Sequence, residues 1–295
     1  MIDLHIHTNA SSDGQHSPRE IFEMARSKGL GAIAFADHNS VGNVEEGFRL
    51  SGEFGIEFFS CLELNTFHNG LDLHILAFSI DPRSQALKNW LESIHQKKQE
   101  QANKRVEKLN ELGFVFTWDD LRKFSGDRLP TGMSFLKAIL SREENRHDPR
   151  LQPYINGERS QSPYVSFYRD YLRGGKPAFV EMEDISTIAA IRRIKELGAI
   201  SVLAHPSDTA EENIQDLVEN GLEGLEVYSP YHNAQEQEAF AAFAKKQGLL
   251  ITAGSDFHGK AVKPDVELGG VEGDHFAILL NLKERQKKKR WKKNP

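Results

Sequence analysis

The chain has 295 residues, a formal net charge of −6, 12 histidines and one cysteine. Residues 283–295 hold eight basic residues and one acid, which leaves the remainder at −13. No apolar run approaches the roughly 18–20 residues of a membrane helix, no secretory signal follows Met1, and one cysteine excludes an internal disulfide, so we expect a cytoplasmic protein without membrane contact.

The composition also limits what the body of the chain can bind. With 39% apolar residues the chain can bury a sizeable core, which excludes disorder for the body. An acidic body attracts phosphate or nucleic acid poorly through its bulk field. A substrate of that kind would therefore need local positive charge, from side chains or from metal ions.

Short apolar runs alternate with helical patterns along most of the chain. Residues Ile2–Ile6 alternate apolar and polar side chains, Ser17 opens a capping box for a helix that ends near Gly29, and Gly31–Ala36 indicates a buried strand. The other predicted strands are Ile56–Leu64, Leu71–Phe78, Ala199–Ala204, Gly224–Tyr228, Leu249–Ala253 and His275–Leu280, and further helices fit 185–197, 210–220 and 234–247. This alternation predicts an α/β fold with a mostly parallel sheet, open or closed into a barrel.

The middle of the chain has a different pattern, charge-rich and helical over 84–172, with Leu87–Leu112 the clearest helix. We interpret it as an insertion between two halves of one strand-rich domain. The predicted divisions are residues 1–83 (first part of the barrel), 84–176 (a helical insertion that covers the substrate), 177–282 (second part of the barrel) and 283–295 (a basic, disordered tail).

Histidines and acids collect where the predicted strands end. His5 and His7 are two residues apart on the first strand and therefore point to the same face. The full set of candidate metal ligands is His5, His7, Asp13, His38, Glu63, His74, His205, Asp256 and His258. In a βα barrel the carboxyl ends of the strands converge on one rim, which is where active sites form.

Each of these patterns alone has a structural explanation, such as a cap or a turn, but together they occupy five separate strand ends. Imidazoles and carboxylates suit Zn²⁺, Mn²⁺ or Fe²⁺. Nine ligands are too many for one ion and suit two to three. Three such ions would outweigh three carboxylates, attract a phosphate ester, polarise its oxygens and convert a bridging water into a hydroxide nucleophile.

The motifs that carry these residues resemble those of the PHP (polymerase and histidinol phosphatase) family of metal-dependent phosphoesterases. The matching segments are His5-Ile6-His7-Thr8, Ser12-Asp13-Gly14, Ala36-Asp37-His38, Glu63-Leu64-Asn65, His74, Ala204-His205-Pro206 and Ser255-Asp256-Phe257-His258-Gly259. The resemblance implies a distorted seven-stranded βα (TIM-like) barrel with a trinuclear metal site at its rim.

The same resemblance assigns roles to individual residues. The implied ligand sets are His5, His7, Glu63 and Asp256 for one metal, Glu63, His74 and His205 for a second, and Asp13, His38 and His258 for a third. Asp13, His38, Glu63, His205, Asp256 and His258 would be the catalytic residues. Asp37 would orient a ligand.

The insertion resembles that of the nucleoside 3′,5′-bisphosphate phosphatases, some of which trim RNA from its 5′ end. That branch carries a Gly-Arg-Pro-His segment where this chain has Gly132-Met133-Ser134-Phe135, so the phosphate-binding Arg and the His are replaced by Met133 and Phe135. The expected activity is hydrolysis of a phosphomonoester of a nucleotide-like small molecule. The alternative is a 5′-3′ exonuclease on short RNA or DNA; a non-catalytic binding module and an amidohydrolase-type C–N hydrolase are further alternatives.

Several other residues are weaker candidates for contacts at the site. Lys176, Tyr228, His232 and Lys260 are candidate substrate-binding residues, and Glu226 is a candidate for orienting a ligand. A structural role explains Glu226, Tyr228 and His232 about equally well, and ordinary surface exposure is the simpler explanation of the two lysines. The basic tail could add a weak, salt-dependent contact to nucleic acid.

Overall fold

The computed structural model describes residues 1–11, 13–181, 185–207 and 209–293, with side chains described as far as Lys289. None of the helices within these residues is long and apolar enough to cross a membrane.

The described residues form eight strands in two sheets. The strands are β1 (Ile2–Ile6), β2 (Ala32–Phe35), β3 (Glu57–Ser60), β4 (Glu63–His68), β5 (Leu71–Phe78), β6 (Ile200–Leu203), β7 (Gly224–Tyr228) and β8 (Leu250–Ala253). The first sheet is parallel, in the order β1-β2-β3. The second has the order β4-β5-β6-β7-β8, in which β5 is antiparallel to both of its neighbours and β6, β7 and β8 are parallel.

The two sheets meet at two seams that lie just past the strand ends. Ile6 forms a parallel bridge with Phe257 beyond β8, and His38 beyond β2 forms one with Glu63 at the start of β4. At the first seam the His7 amide donates to the Phe257 carbonyl over 2.9 Å. The predicted α/β class is confirmed, but the predicted single barrel of seven strands differs from the eight strands in two sheets, because only isolated bridges join the sheets.

The helices pack outside the strands or follow β5 as one long run. They are α1 (Pro18–Ser27), α2 (Val44–Phe54), α3 (Gln85–Glu111), α4 (Trp118–Ser125), α5 (Gly132–Leu140), α6 (Gln152–Ile155), α7 (Pro163–Phe167), α8 (Thr187–Glu196), α9 (Glu211–Glu219), α10 (Ala234–Gln247) and α11 (His275–Lys293). A 3₁₀ turn spans Glu143–Asn145 and a π-helical turn spans Tyr168–Leu172. The capping box predicted at Ser17 is present: its hydroxyl accepts from the Glu20 amide, and Glu20 accepts in return.

The run from α3 to the π-helical turn has a hydrophobic core of its own. Phe114, Phe135 and Phe167 are completely buried in a cluster that also includes Leu109 and Ala178. Three other clusters belong to the strands and the helices that flank them. The helical run therefore packs as a separate layer beside the strands.

Two predicted strands were wrong. Ile56–Leu64 is divided into β3 and β4, because the chain changes partners at Cys61 and Leu62, from parallel pairing with β2 to antiparallel pairing with β5. His275–Leu280 begins α11, where Asp274 caps the first turn by accepting from the Ala277 amide. A short apolar run of this length does not distinguish a strand from a helix by its periodicity.

The basic tail, expected to be disordered, continues α11 as far as Lys293. Lys289 donates to the Ala199 carbonyl over 2.8 Å and pairs with Glu223, and Lys283 pairs with Glu57. Ala199 directly precedes β6, Glu223 directly precedes β7, and Glu57 is the first residue of β3. The tail therefore docks at the amino ends of the strands, opposite the ends that carry the candidate ligands.

Candidate metal centre

The fold brings the nine candidate ligands together along the seams between the sheets. His5 lies in β1 and His7 follows it, Asp13 lies in the loop before α1, His38 follows β2, Glu63 begins β4, His74 lies within β5, His205 follows β6, and Asp256 and His258 follow β8. The seam backbone fixes several of them: the Asp256 amide donates to the His5 carbonyl over 2.8 Å, and the Glu63 amide donates to the Asp37 carbonyl over 3.2 Å.

These side chains form three overlapping groups of possible metal ligands. The groups are His5, His7, Glu63 and Asp256; His7, Asp13, His38 and His258; and His38, Glu63 and His74. Within each group the donor atoms all lie within 4.8 Å of one another. The first group has the same members as one of the ligand sets implied by the family resemblance, and the second contains another of those sets plus His7.

Glu63 lies at the centre of the cluster and is completely buried. Its Oε2 lies 3.2 Å from His7 Nε2 and 2.8 Å from His38 Nδ1. Its Oε1 lies 2.8 Å from His74 Nδ1 and 3.2 Å from His205 Nε2. His74 and His205, the residues implied with Glu63 for the second metal, thus both lie beside Glu63 Oε1. The other oxygen of Glu63 lies beside His7 and His38, so Glu63 contacts ligands of more than one group.

The electrostatics of this cluster are those of a buried network of acids and bases. Burial by itself would raise the pKa of Glu63, but His74, His38 and other imidazoles hold it well below the usual range. Burial would lower the pKa of His7, but the neighbouring carboxylates of Asp256 and Glu63 raise that pKa to about 9. Neighbouring cations also hold the pKa of Asp256 well below its usual range, so Glu63 and Asp256 are ionised at neutral pH and ready to bind cations.

Some donor atoms in the cluster are buried without a hydrogen-bond partner, as expected of atoms that bind a metal ion. Within the described residues, these atoms include Asp13 Oδ1, His38 Nδ1 and Glu63 Oε2. His38 Nδ1 and Glu63 Oε2 are only 2.8 Å apart, yet they do not meet with hydrogen-bond geometry. Buried polar atoms are rarely left unpaired, so a divalent cation bound by imidazole and carboxylate donors fits this arrangement.

The backbone at the strand ends is strained in a way that aims these side chains inward. Asn39, His205 and Asp256 all have positive φ angles, of 50°, 27° and 58°. Such conformations are uncommon for residues other than glycine and cluster at functional sites. Beside them, Gly254 allows β1 to approach closely, because a Cβ there would lie 2.2 Å from the Cβ of His5 and 2.6 Å from Glu226 Oε1.

Two buried carboxylates, Asp37 and Glu226, lie just outside the cluster. Glu226 lies 3.1 Å from Nδ1 of His5 and accepts from the His205 amide over 2.9 Å. Asp37 accepts from Thr8 and, over 3.2 Å, from the Ser11 hydroxyl. Carboxylates in this position fix the orientation and tautomer of metal-binding imidazoles.

Sequence reasoning missed Ser11 and Asp3. The Ser11 hydroxyl lies 3.2 Å from His7 Nδ1 and accepts from the His38 amide over 2.8 Å, so it connects Asp37 to two ligands. Asp3 is buried and accepts from the Ser255 amide over 2.9 Å and from the Ser255 hydroxyl over 2.6 Å. The alternation along β1 carried a signal for Asp3, because it shares the face of His5 and His7.

A chain of side-chain amides holds His74 from the outer side. The Asn39 amide nitrogen donates to Asn65 Oδ1 over 2.7 Å, and the Asn65 amide nitrogen lies 2.9 Å from His74 Nε2. The other ring nitrogen of His74 faces Glu63. Asn39, which directly follows the Asp37-His38 pair, is thus joined to the ligand cluster through Asn65.

Two side chains, Tyr231 after β7 and Lys263 after β8, contact Asp256. Lys263 pairs with Asp256 Oδ2, and the Tyr231 hydroxyl donates to the same oxygen over 2.9 Å. Burial would lower the pKa of Lys263, but Asp256 raises it, so the ammonium stays charged. Lys263 therefore places a fixed positive charge beside the ligand cluster.

The ligands open into a cavity of about 440 Å³ between the strand ends and the helical run. Asp13, His38, His74 and His258 line one side of it, and α3 lines the other with residues that include Lys98 and Arg105. A neighbouring cavity of about 630 Å³ reaches His205, Asp256 and Arg169. Volumes of this size are typical of small-ligand sites.

The structure does not bring the four predicted substrate-binding residues to these cavities. Lys176 is exposed in a loop, and Lys260 is exposed and paired with Glu267. His232 is buried, with Nδ1 2.8 Å from the Val227 carbonyl, and the Tyr228 ring packs against Gly273. None of the four lines either cavity in the described part of the chain. Of the two replacement residues, Met133 lines the first cavity and Phe135 lies in the helical core.

Comparison with known proteins matches part of this chain to a family model. Residues 3–131 match the model of the PHP domain. A 3′,5′-nucleoside bisphosphate phosphatase of Chromobacterium violaceum is 28% identical over 263 residues, which is 87% of each chain. A phosphoribosyl 1,2-cyclic phosphate 1,2-diphosphodiesterase of Eggerthella lenta is 27% identical over 263 residues, covering 88% of this chain and 94% of that one. A 5′-3′ exoribonuclease of Haemophilus influenzae is 28% identical over 263 residues, covering 87% and 89%.

Solved structures agree with this placement. A Bifidobacterium adolescentis protein with a provisional assignment as a metal-dependent phosphoesterase superposes with a TM-score of 0.73 at 25% identity, covering 96% of both chains. A Chromobacterium violaceum structure described as an amidohydrolase, with bound sulfate and no metal, superposes with a TM-score of 0.78 at 26% identity, also covering 96% of both. Residues 3–131 thus match a PHP domain, and the chain is a metal-dependent phosphoesterase, a hydrolase.

Proposed function

We propose that this enzyme hydrolyses a phosphate monoester of a nucleotide-like substrate, releasing phosphate and an alcohol. The observation that carries the proposal is the set of three overlapping ligand groups around Glu63, which open into a cavity of nucleotide size. Two to three divalent ions, Mn²⁺, Zn²⁺ or Fe²⁺, would supply Lewis-acid polarisation of the phosphoryl oxygens and an activated water when bound.

The proposed assignment of ligands follows both the geometry and the family resemblance. One ion would take His5, His7, Glu63 and Asp256, a second Glu63, His74 and His205, and a third Asp13, His38 and His258. The proximity of Glu63 to His7, His38, His74 and His205 supports its role as the shared ligand. We also propose that the two sheets act as one distorted barrel, since the seams between them hold Glu63 and Asp256.

Residues around the cavity would bind and enclose the substrate. The charged Lys263 lies beside Asp256 and lines both cavities, so it can contact a phosphoryl oxygen. The helical run 84–176 forms the opposite wall through residues such as Gln101 and Tyr168. We propose that this run is an insertion domain that excludes water from the reacting phosphate.

A second candidate function is removal of nucleotides from the 5′ end of a short oligonucleotide. The observation that favours it is the second cavity, which shares His38, His74 and Lys263 with the first and extends past Arg169, giving room beyond one nucleotide. The Haemophilus influenzae relative is named for this activity. The tail helix docks at the opposite ends of the strands, so its predicted contact with nucleic acid would lie away from this site.

The product of the reaction distinguishes these candidates. The protein is assayed with Mn²⁺, Zn²⁺ or Fe²⁺, and with chelator, on nucleoside mono- and bisphosphates, sugar phosphates, 5′-phosphorylated oligonucleotides and an amide panel. The proposal expects metal-dependent inorganic phosphate from the small esters, whereas mononucleotides from oligonucleotides would favour the exonuclease. Hydrolysis of amides alone would contradict both.

A pair of variants tests whether the described cluster is responsible. Asp256→Asn preserves side-chain shape and a residue type that tolerates positive φ, and it should lower turnover by at least about 100-fold because a buried ligand charge is lost. His147→Gln, an exposed histidine outside the cluster, is the matched control and should behave as wild type. Full activity in Asp256→Asn would place the chemistry elsewhere.

A further inference from the structure

The loop between β1 and α1, which carries the candidate ligand Asp13, is contacted by an arginine of the helical run. Arg128, in the turn between α4 and α5, donates from Nη1 to the Asn9 carbonyl over 3.1 Å and to the Ser11 carbonyl over 3.2 Å. Its backbone amide and its Nε both donate to the Ser125 carbonyl, over 3.2 and 3.4 Å, which holds the arginine against the end of α4. Because a guanidinium is permanently charged and its donors lie in one rigid plane, Arg128 ties the helical run to this loop at two points.

Ser11 connects this contact to the metal ligands, because its two polar groups face opposite sides. Its hydroxyl donates to Asp37 over 3.2 Å, accepts from the His38 amide over 2.8 Å and lies 3.2 Å from His7 Nδ1. Its carbonyl accepts from Arg128. The side chain of Ser11 thus orients two candidate ligands, while a residue of the helical run positions its backbone.

The loop conformation also determines where the Asp13 carboxylate lies. In the described chain Asp13 Oδ1 is buried without a hydrogen-bond partner, and it lies 4.0 Å from His258 Nε2, while Oδ2 lies 3.9 Å from His38 Nε2. These separations are too long for hydrogen bonds. They fit donors that share one ion, each about 2.0–2.2 Å from it. The position of Asp13 therefore depends on the backbone that carries it and not on contact with its partner imidazoles.

The strand layer itself holds ligands of the other groups. Glu226 of β7 contacts His5 and the His205 amide, and Lys263 pairs with Asp256. These holding residues follow or belong to the strands of the second sheet. The side-chain hydrogen bonds of Arg128 in the described chain, in contrast, reach from the helical run to the loop of the group that contains Asp13, His38 and His258.

We propose that Arg128 is a positioning residue for the Asp13 loop, through which the packing of the helical run sets the affinity of the ion bound by Asp13, His38 and His258. The inference rests on the proposed function, because it concerns one of the ions proposed there. Since linkage between two binding events is reciprocal, binding of this ion in turn stabilises the contact between the loop and the turn after α4. The ion proposed for Glu63, His74 and His205 has no ligand that Arg128 or Ser11 contacts and lies outside this coupling.

The test measures metal binding without turnover. Wild type, Arg128→Met and Arg128→Lys are stripped with chelator and titrated with Mn²⁺ against a chelator of known affinity, and the retained ions are counted by elemental analysis. Arg128 is exposed, so its replacement should not unfold the protein. Arg128→Met should weaken the binding of one ion by about 3- to 10-fold, the effect of an ordinary hydrogen bond, and leave the affinity of another unchanged. Arg128→Lys keeps a charged donor and should lose less.

Two further variants distinguish positioning from a general loss of stability. Arg122→Met, the matched control, removes an exposed arginine of α4 that pairs with Asp127 over 3.9 Å, and it should bind metal as wild type does. In an Asp13→Asn background Arg128→Met should have no further effect, because the ion on which it acts has already lost a ligand. Equal weakening of every ion, the same loss in both backgrounds, or a result equal to that of the control would overturn the proposal. A raised KM with unchanged metal affinity would also overturn it, because Arg128 would then be a substrate contact.

Amide hydrogen exchange separates failure of this inference from failure of the proposed function. The amides of Asn9, Ser11 and Gln15 are hydrogen-bonded to backbone carbonyls, so their exchange in chelator-treated protein reports opening of the loop. Arg128→Met should accelerate this exchange several-fold, and Arg122→Met should leave it as in wild type. Accelerated exchange in a protein that binds no metal would show that Arg128 holds the loop while the proposed metal chemistry fails. Metal binding by wild type with unchanged loop exchange in Arg128→Met would refute the positioning role alone.

Discussion

Replacing Glu226 with glutamine tests whether the buried carboxylate behind the metal cluster determines metal affinity. Glu226 is completely buried and its two oxygens lie 3.1 and 3.3 Å from His5 Nδ1, while Oε2 also accepts from the His205 amide over 2.9 Å. His5 and His205 belong to two different proposed ligand sets. Glu226→Gln should therefore weaken the binding of more than one ion.

The structure allows the size of this effect to be worked out. The Gln side chain has nearly the same shape, so its carbonyl can still accept from one of the two donors, but its NH₂ group cannot accept from the other. The change thus removes about one charge-assisted hydrogen bond, worth roughly 1.5–3 kcal/mol. That corresponds to about a 10- to 100-fold loss of metal affinity, the range found for partners of metal-binding histidines.

Metal affinity is measured by competition with a chelator of known affinity, and metal content by elemental analysis after dialysis. Glu219→Gln, an exposed glutamate on α9 whose only described side-chain contact is with Gln215, is the matched control and should retain wild-type affinity. A Glu226→Gln protein with a lower melting temperature but unchanged metal affinity would refute the reasoning, because Glu226 would then contribute to packing alone.

Two further predictions concern pH and positioning. In metal-free protein the His7 pKa of about 9 exceeds the unfolded value of 6.5, so the stability it contributes is complete below about pH 6.5 and is lost as pH rises through 9. Thermal melts in the presence of chelator should show that the free energy of unfolding falls by roughly 2–4 kcal/mol across that pH window. Saturating Mn²⁺ should abolish this decline, because the metal binds deprotonated ligands. A free energy of unfolding that does not change with pH in chelator would contradict this prediction. Asn65→Leu removes the amide that holds His74 and should weaken metal binding several-fold without unfolding the protein, as judged by chelator competition and circular dichroism; wild-type affinity would exclude a positioning role.

The errors in the predicted fold have a common physical origin. The apolar run His275–Leu280 fits a strand as well as a helix when its neighbours are unknown, and the chain resolves the ambiguity by burying Ile278 and Leu282, four residues apart, against the strands. Ile56–Leu64 contains enough apolar residues for one strand, but the change from parallel to antiparallel partners at Leu62 depends on where β5 lies. Neither outcome is encoded within the segment itself.

The positions of the candidate ligands, in contrast, could be inferred from the chain alone. His5 and His7 share a face because strands have a two-residue period, and His38, His205 and Asp256 follow apolar runs that end at one edge of a mostly parallel fold. Local periodicity was sufficient for these residues, and their family motifs occur in order along the chain.

Long-range packing decided the rest. The sharing of Glu63 among several imidazoles depends on the seam between β2 and β4, and the exclusion of Lys176 and Lys260 from the cavity depends on the direction of their loops. Lys98 lies on a helix with many charged residues, and only the packing of α3 over the strand ends distinguishes it from its exposed neighbours. Contacts between residues far apart in sequence carry no local period, so the composition and spacing of the chain could not reveal them.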